Sequence, residues 1–320
     1  MVKKKILITG SQGFIGTALM SWLKRKYKLI GIDRVDGSYP RGTKFYCQDI
    51  NYELPKIDNL YAVIHLAALP GVRNSHEKFA QVCQDNILGT QRIINQCMKI
   101  WKPKKLLLAS SSSVYGDNGR DGHALDEDEI VNPRSPYAMS KVAGEELVRT
   151  YKNCGWLDNM DVASLRFFTV YGQNQRNELA IRAFTDWILQ DKPITLYGSG
   201  EQKRDFTYID DICSGIETLL NCNLKHDVYN IGSGNSISIN KIIQMISEYT
   251  GKNVTINYQP RSPWDVDCTR ADISRIKHDT SRHAGWDEDE PIVKFWEPKI
   301  KFEDGLEQQI EWQKKNLENL

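Results

Sequence analysis

The sequence has little of what marks membrane-spanning, secreted or nucleic-acid-binding proteins. Its 42 lysines and arginines almost balance its 41 aspartates and glutamates, which leaves a formal charge of +1 over 320 residues. No overall field therefore attracts nucleic acid or membrane, and an anionic ligand would need a local site. No apolar run is long enough to span a bilayer. The basic start at Lys3-Lys4-Lys5 precedes too few apolar residues for a signal peptide.

Cysteine pairs and metal-ligand clusters are also lacking. The seven cysteines are odd in number and none has CxxC spacing: Cys47, Cys83, Cys97, Cys154, Cys213, Cys222 and Cys268. This pattern is typical of unpaired thiols in a reducing cytoplasm. The six histidines are scattered, and nothing near the closest pair, His278 and His283, completes a metal site. We predict a cytoplasmic protein that binds no metal.

Apolar patterns in the first half of the chain predict alternating strands and helices. The predicted strands are Lys5–Thr9, Leu29–Asp33, Ala62–Ala67, Lys105–Ser110 and Val162–Phe168, and the helices are Phe14–Leu23, Ile87–Trp101 and Tyr137–Tyr151. This alternation predicts a parallel sheet with helices on both faces. The expected fold class is α/β, a Rossmann-type doubly wound parallel sheet.

After Gly172 the alternation loosens. The predicted elements there are a helix at Ile181–Gln190, a strand at Ile194–Tyr197, a helix at Asp210–Leu220, a strand at Val228–Ile231, a helix at Ile239–Tyr249, a strand at Val254–Tyr258 and a helix at Phe302–Lys314. We predict that residues 1–172 form the Rossmann domain and that residues 206–232 return to it. Residues 173–205 and 233–320 would form a smaller α/β substrate-binding lobe.

A glycine-rich turn joins the first strand to the first helix. Gly10, Gly13 and Gly16 stand where a tight turn needs positive φ and where the backbone must approach a pyrophosphate closely. Asp33 ends the second strand, and a carboxylate there binds the adenosine ribose hydroxyls and repels a 2′-phosphate. The pattern predicts NAD, although Arg34 leaves NADP open. The alternative is an ordinary turn and a surface aspartate.

Tyr137 and Lys141 lie four residues apart, on one face of a predicted helix. A tyrosine with a pKa of about 10 is a poor base at neutral pH, but a nearby ammonium favours the phenolate. Tyr137 could then accept a proton from a substrate hydroxyl while hydride leaves the same carbon. The pair alone is common by chance on amphipathic helices. The serine-rich segment Ser110–Gly116, however, follows a strand and offers a third hydroxyl.

Together these segments resemble the extended short-chain dehydrogenase/reductases of the nucleotide-sugar epimerase and dehydratase group. The segments that carry the resemblance are Gly10–Gly16, Asp33, Asp49-Ile50, His65–Ala68, Asn86 with Gly89-Thr90, Ser110–Gly116, Tyr137–Lys141, Leu165–Gly172 and Arg204–Asp211. The resemblance implies a catalytic triad of Ser111, Tyr137 and Lys141. It also implies an NAD site made of Gly10, Gly13, Phe14, Ile15, Gly16, Asp33, Arg34, Asp49, Ile50, Leu66, Ala67, Ala68, Asn86, Tyr137 and Lys141.

The residues after the triad serine indicate the reaction. Relatives that eliminate water carry an Asp-Glu pair there and relatives that decarboxylate a glucuronate carry a Glu, whereas this chain has Ser112 and Ser113. The resemblance therefore implies a UDP-sugar 4-epimerase, in which a 4-keto sugar turns before hydride returns to its other face. A dehydratase or decarboxylase stays open because another residue could supply the acid. A non-catalytic NAD-binding regulator is disfavoured because the triad is complete.

The sugar is indicated by two segments, His65–Ser75 and Phe167–Gly172, which resemble UDP-glucuronate 4-epimerases especially. The resemblance places Thr169 and Arg176 near the sugar carboxylate, and a guanidinium matches a carboxylate in shape and charge. Residues 173–178 lack the prolines that are usual there, so a surface role for Arg176 stays open. UDP-glucose and UDP-N-acetylglucosamine are the alternative substrates.

Two further arginines match positions where relatives hold the diphosphate and uridine. These are Arg204 and Arg261, and Asp265 belongs to the same C-terminal stretch, whereas Trp264 stands where relatives usually have glycine. As lone residues the arginines would be ordinary salt-bridge partners. The full predicted substrate site consists of Arg73, Ser112, Ser113, Thr169, Arg176, Arg204, Arg261 and Asp265. The family also implies a homodimer, formed through the helices near Ile87–Trp101 and Tyr137–Tyr151.

Overall fold

A computed structural model describes residues 3–281 and 295–317 of the chain. Its strands are β1 (Lys5–Thr9), β2 (Lys28–Asp33), β3 (Lys44–Cys47), β4 (Ala62–His65), β5 (Lys105–Ser111), β6 (Asp161–Phe167), β7 (Thr169–Tyr171), β8 (Ile194–Tyr197), β9 (Lys203–Arg204), β10 (Phe206–Tyr208), β11 (Val228–Ile231), β12 (Ile237–Ser238) and β13 (Ile256–Gln259). Seven of them form one parallel sheet in the order β11-β6-β5-β4-β1-β2-β3. The strand order reverses between β1 and β4, which is where doubly wound sheets open a crevice for ligands.

Helices cover both faces of this sheet. The α-helices of the described residues are α1 (Phe14–Leu23), α2 (Phe79–Val82), α3 (Gly89–Gln96), α4 (Pro136–Asn153), α5 (Ala180–Leu189), α6 (Ile209–Asn221), α7 (Ile239–Thr250), α8 (Ser274–Thr280) and α9 (Phe302–Leu317). Successive β1 residues point to opposite faces: Ile6 and Ile8 belong to the core under α1 and α6, and Leu7 to the core under α3 and α4. Since both faces are buried, the middle of β1, Ile6–Ile8, is a continuous apolar run rather than an alternating one.

The remaining strands form three short pairs outside the central sheet. Strand β10 pairs with β7 and β13 with β8, both in parallel, and β12 pairs with β9 antiparallel. Helices α5, α7 and α9 pack against one another beside these pairs. This part of the molecule closes over the carboxyl ends of the central strands, so that residues from both halves of the chain can meet there.

The Rossmann-type α/β prediction is confirmed, and the element bounds need several corrections. The third predicted strand ends at His65 rather than Ala67, and β3 and α8 are not predicted because both are short. The helix predicted at Ile87–Trp101 begins earlier, at Phe79, and contains two π-helical turns. Strand β11 lies beside β6 in the central sheet. The division of the chain at residues 172, 205 and 232 stays a prediction.

A buried ion pair connects two strands of the sheet to helix α4. Arg166 of β6 and Glu145 of α4 are 4% and 8% exposed, and two nitrogens of the guanidinium reach the two carboxylate oxygens at 3.0 and 2.7 Å. Ser110 of β5 donates its hydroxyl to the same carboxylate at 2.5 Å. The guanidinium also lies 4.7 Å from the ring centroid of Tyr115. Every charge in this cluster is therefore matched by a partner, as burial requires.

We predict that Arg166→Met lowers the free energy of unfolding by about 3–5 kcal/mol, because it leaves Glu145 buried without its partner. The matched control is Arg149→Met, which removes the exposed pair between Arg149 and Glu146 on the same helix α4. We expect that change to cost less than about 1 kcal/mol. Urea unfolding at a fixed NAD concentration compares the two variants, and equal losses would contradict the importance of the buried pair.

Candidate active site

A cleft of about 660 Å³ opens at the carboxyl ends of β1, β2, β4 and β5. It lies at the reversal of strand order, and its volume is within the range of about 300–1,000 Å³ that is usual for ligand sites. Its walls come from the central sheet, from α4 and from the C-terminal half, including Arg204 and Trp264. One end is therefore built by the Rossmann sheet and the other by the smaller elements.

Most residues of the predicted site line this cleft: Gly10, Gly13, Phe14, Ile15, Gly16, Asp33, Arg34, Asp49, Ile50, Leu66, Ala67, Ala68, Arg73, Ser111, Ser112, Ser113, Tyr137, Lys141, Thr169, Arg176, Arg204 and Asp265. Asn86 and Arg261 are not among the lining residues. Asn86 is buried behind the wall, where it accepts from Leu69 N at 2.7 Å and donates to Ser140 Oγ at 2.9 Å. Arg261 turns away and pairs with Asp267 at 2.5 Å.

The glycine turn has the shape that a pyrophosphate needs. Gly10 has φ of +68°, and a Cβ atom there would lie 2.6 Å from the backbone nitrogen of Ala67. A Cβ atom on Gly16 would lie 2.1 Å from the carbonyl oxygen of Gly10. Helix α1 starts at Phe14, and its N-cap residue Gly13 has no side chain to satisfy the first-turn amides. Those amides, with the positive end of the helix dipole, are available to an anion in the cleft.

The charges at the end of β2 favour NAD over NADP. Asp33 lines the cleft, and its Oδ2 accepts a hydrogen bond from Gln12 N at 2.8 Å. Arg34 is already engaged, since its Nη1 lies 3.0 Å from Asp85 Oδ2 and 3.9 Å from Asp49 Oδ2. Two carboxylates thus neutralise Arg34, the cation next to Asp33 that could have bound a 2′-phosphate. The pairing of Asp85 with Arg34 is hard to predict from the sequence, because Asp85 lies 51 residues further along the chain, inside a helical segment.

Helix α4 brings two residues of the predicted triad into the cleft. Its N-cap is Ser135, whose Oγ accepts from Ala138 N at 3.1 Å, so that the helix begins just before Tyr137. One turn later, Lys141 Nζ donates to the carbonyl oxygen of Ala109 at 2.8 Å and lies 5.7 Å from the centroid of the Tyr137 ring. The ammonium is thereby fixed close to the phenol ring.

Ser111 reaches the same point from the end of β5. Its Oγ lies 3.0 Å from the hydroxyl of Ser113 and accepts from Ser113 N at 3.2 Å. A short 3₁₀ turn follows, in which Ser112 is buried and Ser113 is partly exposed to the cleft. The structure therefore brings Ser111, Tyr137 and Lys141 together, as the resemblance implies.

The titration of these groups follows from burial and from nearby cations. Burial raises the pKa of Tyr137, while its hydrogen bond with Ser111 and the charge of Arg176 act in the opposite direction. Burial lowers the pKa of Lys141 to about 8, against the charge of Glu145. Further positive charge beside Tyr137 would favour its phenolate. Arg176 is thus close enough to the reacting phenol to influence it electrostatically.

His65, at the end of β4, is a fixed neutral group beside this centre. Burial, with a smaller contribution from Lys141, lowers its pKa to about 3. Thr90 donates its hydroxyl to the carbonyl oxygen of Asn86 at 2.6 Å, so its oxygen must accept from His65 Nε2 at 3.1 Å. Nδ1 then accepts from the hydroxyl of Thr9 at 2.7 Å. The imidazole therefore links β1, β4 and α3, which contains Thr90, through hydrogen bonds. Its one ring proton is donated to Thr90 and is not available to a ligand in the cleft.

The far end of the cleft contains several arginines. Arg176, about one third exposed, pairs with Glu178 at 3.0 Å. The guanidinium of Arg73 lies 4.6 Å from the ring centroid of Tyr197. Arg204 forms a close ion pair with Asp265. Of these, Arg176 lies in the most exposed ion pair, so that a ligand anion can compete with Glu178 for it.

Several lining residues were not predicted from the sequence, namely Gln12, Asp85, Arg134, Leu179, Trp264 and Val266. The ring of Trp264 contacts that of His76, with the centroids 4.9 Å apart. Its departure from the glycine usual in relatives is the signal that could have identified it. For Leu179 the sequence has no comparable signal, because an apolar residue before a helix ordinarily belongs to the core.

Comparison with known proteins connects this site to a family. The family model described as "NAD dependent epimerase/dehydratase family" matches residues 6–232. The chain belongs to this family. The predicted family resemblance, an enzymatic activity and NAD as cofactor are thereby confirmed. A relative from Thermodesulfobacterium geofontis (strain OPF15), named UDP-glucuronate 4-epimerase, is 37% identical over 98% of this chain and 97% of its own.

Solved structures of this epimerase/dehydratase family share the fold along nearly the whole chain. MoeE5 in complex with UDP-glucose and NAD has a TM-score of 0.87 and 32% identity, covering 98% of this chain and 99% of its own. The UDP-glucuronic acid 4-epimerase from Bacillus cereus, in complex with UDP-glucuronic acid and NAD, has a TM-score of 0.82 and 33% identity over the same shares. The cradle of Gly10, Gly16 and Asp33 fits the NAD that these relatives bind.

Three other features concern residues 3–281 and 295–317. No group of three or more histidines, cysteines or carboxylates in this part is placed to hold a metal ion. None of its helices combines the length and the apolar character that a membrane span needs. All seven cysteines lie within it and are unpaired. His283, named above with His278, lies outside the described residues.

Proposed function

We propose that the chain is a UDP-sugar 4-epimerase whose substrate pair is UDP-glucuronate and UDP-galacturonate. The observation that carries the proposal is the meeting of Ser111, Tyr137 and Lys141 with Arg176 at one point of the cleft. A redox triad beside a guanidinium suits a sugar that bears both a hydroxyl to oxidise and a carboxylate. The relatives named UDP-glucuronate 4-epimerase support the same substrate.

Each triad residue has a defined task in this chemistry. Tyr137 takes the proton of the C4 hydroxyl and later gives it back, and Ser111 hydrogen-bonds to the same hydroxyl. Lys141, held by the carbonyl of Ala109, stabilises the phenolate of Tyr137. Bound NAD would accept hydride from C4 and return it to the opposite face once the 4-keto sugar has turned. The pyrophosphate would lie on the amides between Gly10 and Gly16.

The carboxylates of the cleft argue against a second step. Among the described residues that line it, the acidic ones are Asp33, Asp49, Asp85 and Asp265. Asp49 and Asp85 face Arg34, Asp265 pairs with Arg204, and Asp33 accepts from Gln12 N. Elimination of water needs an acid and a base near the sugar, and these four groups are engaged elsewhere. A 4-keto sugar in this cleft therefore has reduction as its simplest fate.

Arg176 suits the carboxylate of a uronate. Its present partner, Glu178, is 62% exposed at the side chain, and exposed pairs of this kind contribute little stability. A substrate carboxylate in a less hydrated cleft can therefore replace Glu178 at the guanidinium fork. Holding that carboxylate would also suppress the loss of CO₂ to which a 4-keto uronate, a β-keto acid, is prone. Thr169 lines the same region and can donate a second hydrogen bond.

The substrate is tested by incubating the enzyme separately with UDP-glucuronate, UDP-glucose and UDP-N-acetylglucosamine and resolving the products. We expect UDP-galacturonate from the first, and no 4-epimer from Tyr137→Phe. Arg176→Met should lower kcat/KM for UDP-glucuronate by roughly 10- to 150-fold, the equivalent of one charged hydrogen bond. Lys26→Met, an exposed control outside the cleft and outside α4, should change nothing.

Other products identify the alternatives. Epimerisation of UDP-glucose or UDP-N-acetylglucosamine alone would correct the sugar, and a 4-keto-6-deoxy product or released CO₂ would indicate a dehydratase or decarboxylase. The absence of any 4-epimer from all three substrates would overturn the proposed function.

We further propose that the enzyme acts as a homodimer through the helical segment Phe79–Trp101 and α4. Phe79, Leu88 and Ile100 are 50%, 48% and 45% exposed on that segment, unusual positions for large apolar side chains. Light scattering should give a mass of about twice the 36.7 kDa of one chain. Leu88→Glu, which places a charge in the proposed interface, should lower that mass toward the mass of one chain. A single-chain mass for the unaltered enzyme would contradict the dimer.

The location of the protein in the cytoplasm stays a prediction from the cysteine pattern.

A further inference from the structure

Three glutamines are buried next to the far end of the cleft. Gln175 is 2% exposed, and Gln309 and Gln313 of helix α9 are fully buried. Glutamine is mostly a surface residue, and a buried amide costs free energy unless its donors and acceptors are satisfied. The side chains of these three form one hydrogen-bonded chain, which runs from α9 to the loop of residues 172–179.

Gln309 is the centre of this glutamine chain. Its Oε1 accepts from the backbone nitrogen of Gly172 at 2.7 Å. Its Nε2 donates to Oε1 of Gln175 at 2.8 Å and to Oε1 of Gln313 at 3.2 Å. Both ends of the amide are therefore used, and neither can be replaced by water because the side chain is completely buried.

Gln175 connects the loop to the helix that follows. Its Oε1 also accepts from Arg182 N at 3.1 Å, within the first turn of α5. The N-cap residue of α5 is Leu179, which has no polar side chain, so Gln175 satisfies an amide that a local cap ordinarily would. Its Nε2 donates to the carbonyl oxygen of Val170 in β7 at 2.9 Å.

Gln313 closes the other end of the glutamine chain. Its Nε2 donates to the carbonyl oxygen of Arg182 at 3.0 Å and to the carboxylate of Asp186 at 2.8 Å. Both partners belong to α5. The glutamine chain thus links β7, the loop and α5 to α9 through side-chain amides.

The loop itself has little that would stiffen it. Residues 173–178 contain no proline, which would have fixed φ at those positions. Gly172 and Asn174 both have positive φ, +137° and +64°, so its backbone is far from a regular element. Yet this loop presents Arg176 and Leu179 to the cleft. Its internal backbone hydrogen bonds include those of two turns, from Gln175 N to Gly172 O and from Leu179 N to Arg176 O, and contacts from outside the loop add to them.

We propose that Gln175, Gln309 and Gln313 are positioning residues that hold loop 172–179 so that Arg176 and Leu179 meet the sugar of the substrate. The three glutamines do not line the cleft and act only through the loop. The proposal rests on the proposed function, because it assigns the sugar to this end of the cleft. It makes α9, at the end of the described chain, part of the specificity apparatus.

The proposal separates sugar binding from nucleotide binding. The loop contributes Arg176 and Leu179, whereas the candidate contacts for the nucleotide, Arg204 and Asp265, belong to other segments that the glutamine chain does not touch. Loss of one amide should therefore weaken UDP-sugar binding and leave UDP binding unchanged.

The decisive variant is Gln309→Leu in the NAD-loaded enzyme, with Gln308→Leu as its matched control. Gln308 is the neighbouring, exposed glutamine of α9, and its Oε1 accepts from the hydroxyl of Tyr208 at 3.1 Å, on a different side of the helix. We expect Gln309→Leu to raise the KM for the UDP-sugar by about tenfold, as for one lost buried hydrogen bond. The inhibition constant of UDP should stay within about twofold in both variants.

A double variant tests whether the effect passes through Arg176. In an Arg176→Met background, Gln309→Leu should raise the KM by much less than it does alone, since coupled residues are not additive. Full additivity, or an equal weakening of UDP and UDP-sugar, would overturn the proposal. If Gln309→Leu does not fold, Gln175→Met, which keeps the side-chain length, is measured in the same way with the same expectation. An unaltered enzyme that binds no UDP-sugar would instead refute the proposed function.

Discussion

The pair between Glu145 and Arg166 is the contact on which the geometry of the active site depends. Glu145 lies one helical turn beyond Lys141 on α4, and it accepts a hydrogen bond from Ser110, the neighbour of Ser111 at the end of β5. The Glu145 carboxylate thus fixes both α4, which carries Tyr137 and Lys141, and β5, which carries Ser111. Because the pair is buried, a shift of α4 against the sheet would leave charges unmatched.

The fold and the dinucleotide end were predictable because their determinants are local in the sequence. Apolar strands buried on both faces are continuous runs, and a glycine turn followed by a strand-ending Asp33 is a short-range pattern with one common structural meaning. Tyr137 and Lys141 are likewise one helical turn apart. Ser111 is far from them in the sequence, and it lies beside them because α4 packs against β5.

The far end of the cleft could not be predicted to the same depth, since its contacts join distant parts of the chain. Gln309 and Gln175 are 134 residues apart, and nothing in a polar helix such as α9 signals that one of two adjacent glutamines is buried. The positions of Asn86 and Arg261, outside the cleft lining, also depend on how whole segments pack. The family resemblance identified arginines near the cleft but not which of them turn away to pair with an aspartate such as Asp267.

The proposed epimerisation removes hydride from C4 of the sugar and returns it to the same carbon, with no further step. Epimerisation of UDP-glucuronate labelled with deuterium at C4 tests it most directly, with the product examined by NMR. We expect UDP-galacturonate that keeps the deuterium at C4, because the label would pass to NAD and back. Tyr137 exchanges only the hydroxyl proton. Loss of the label to solvent, or a product changed at C5 or C6, would contradict it.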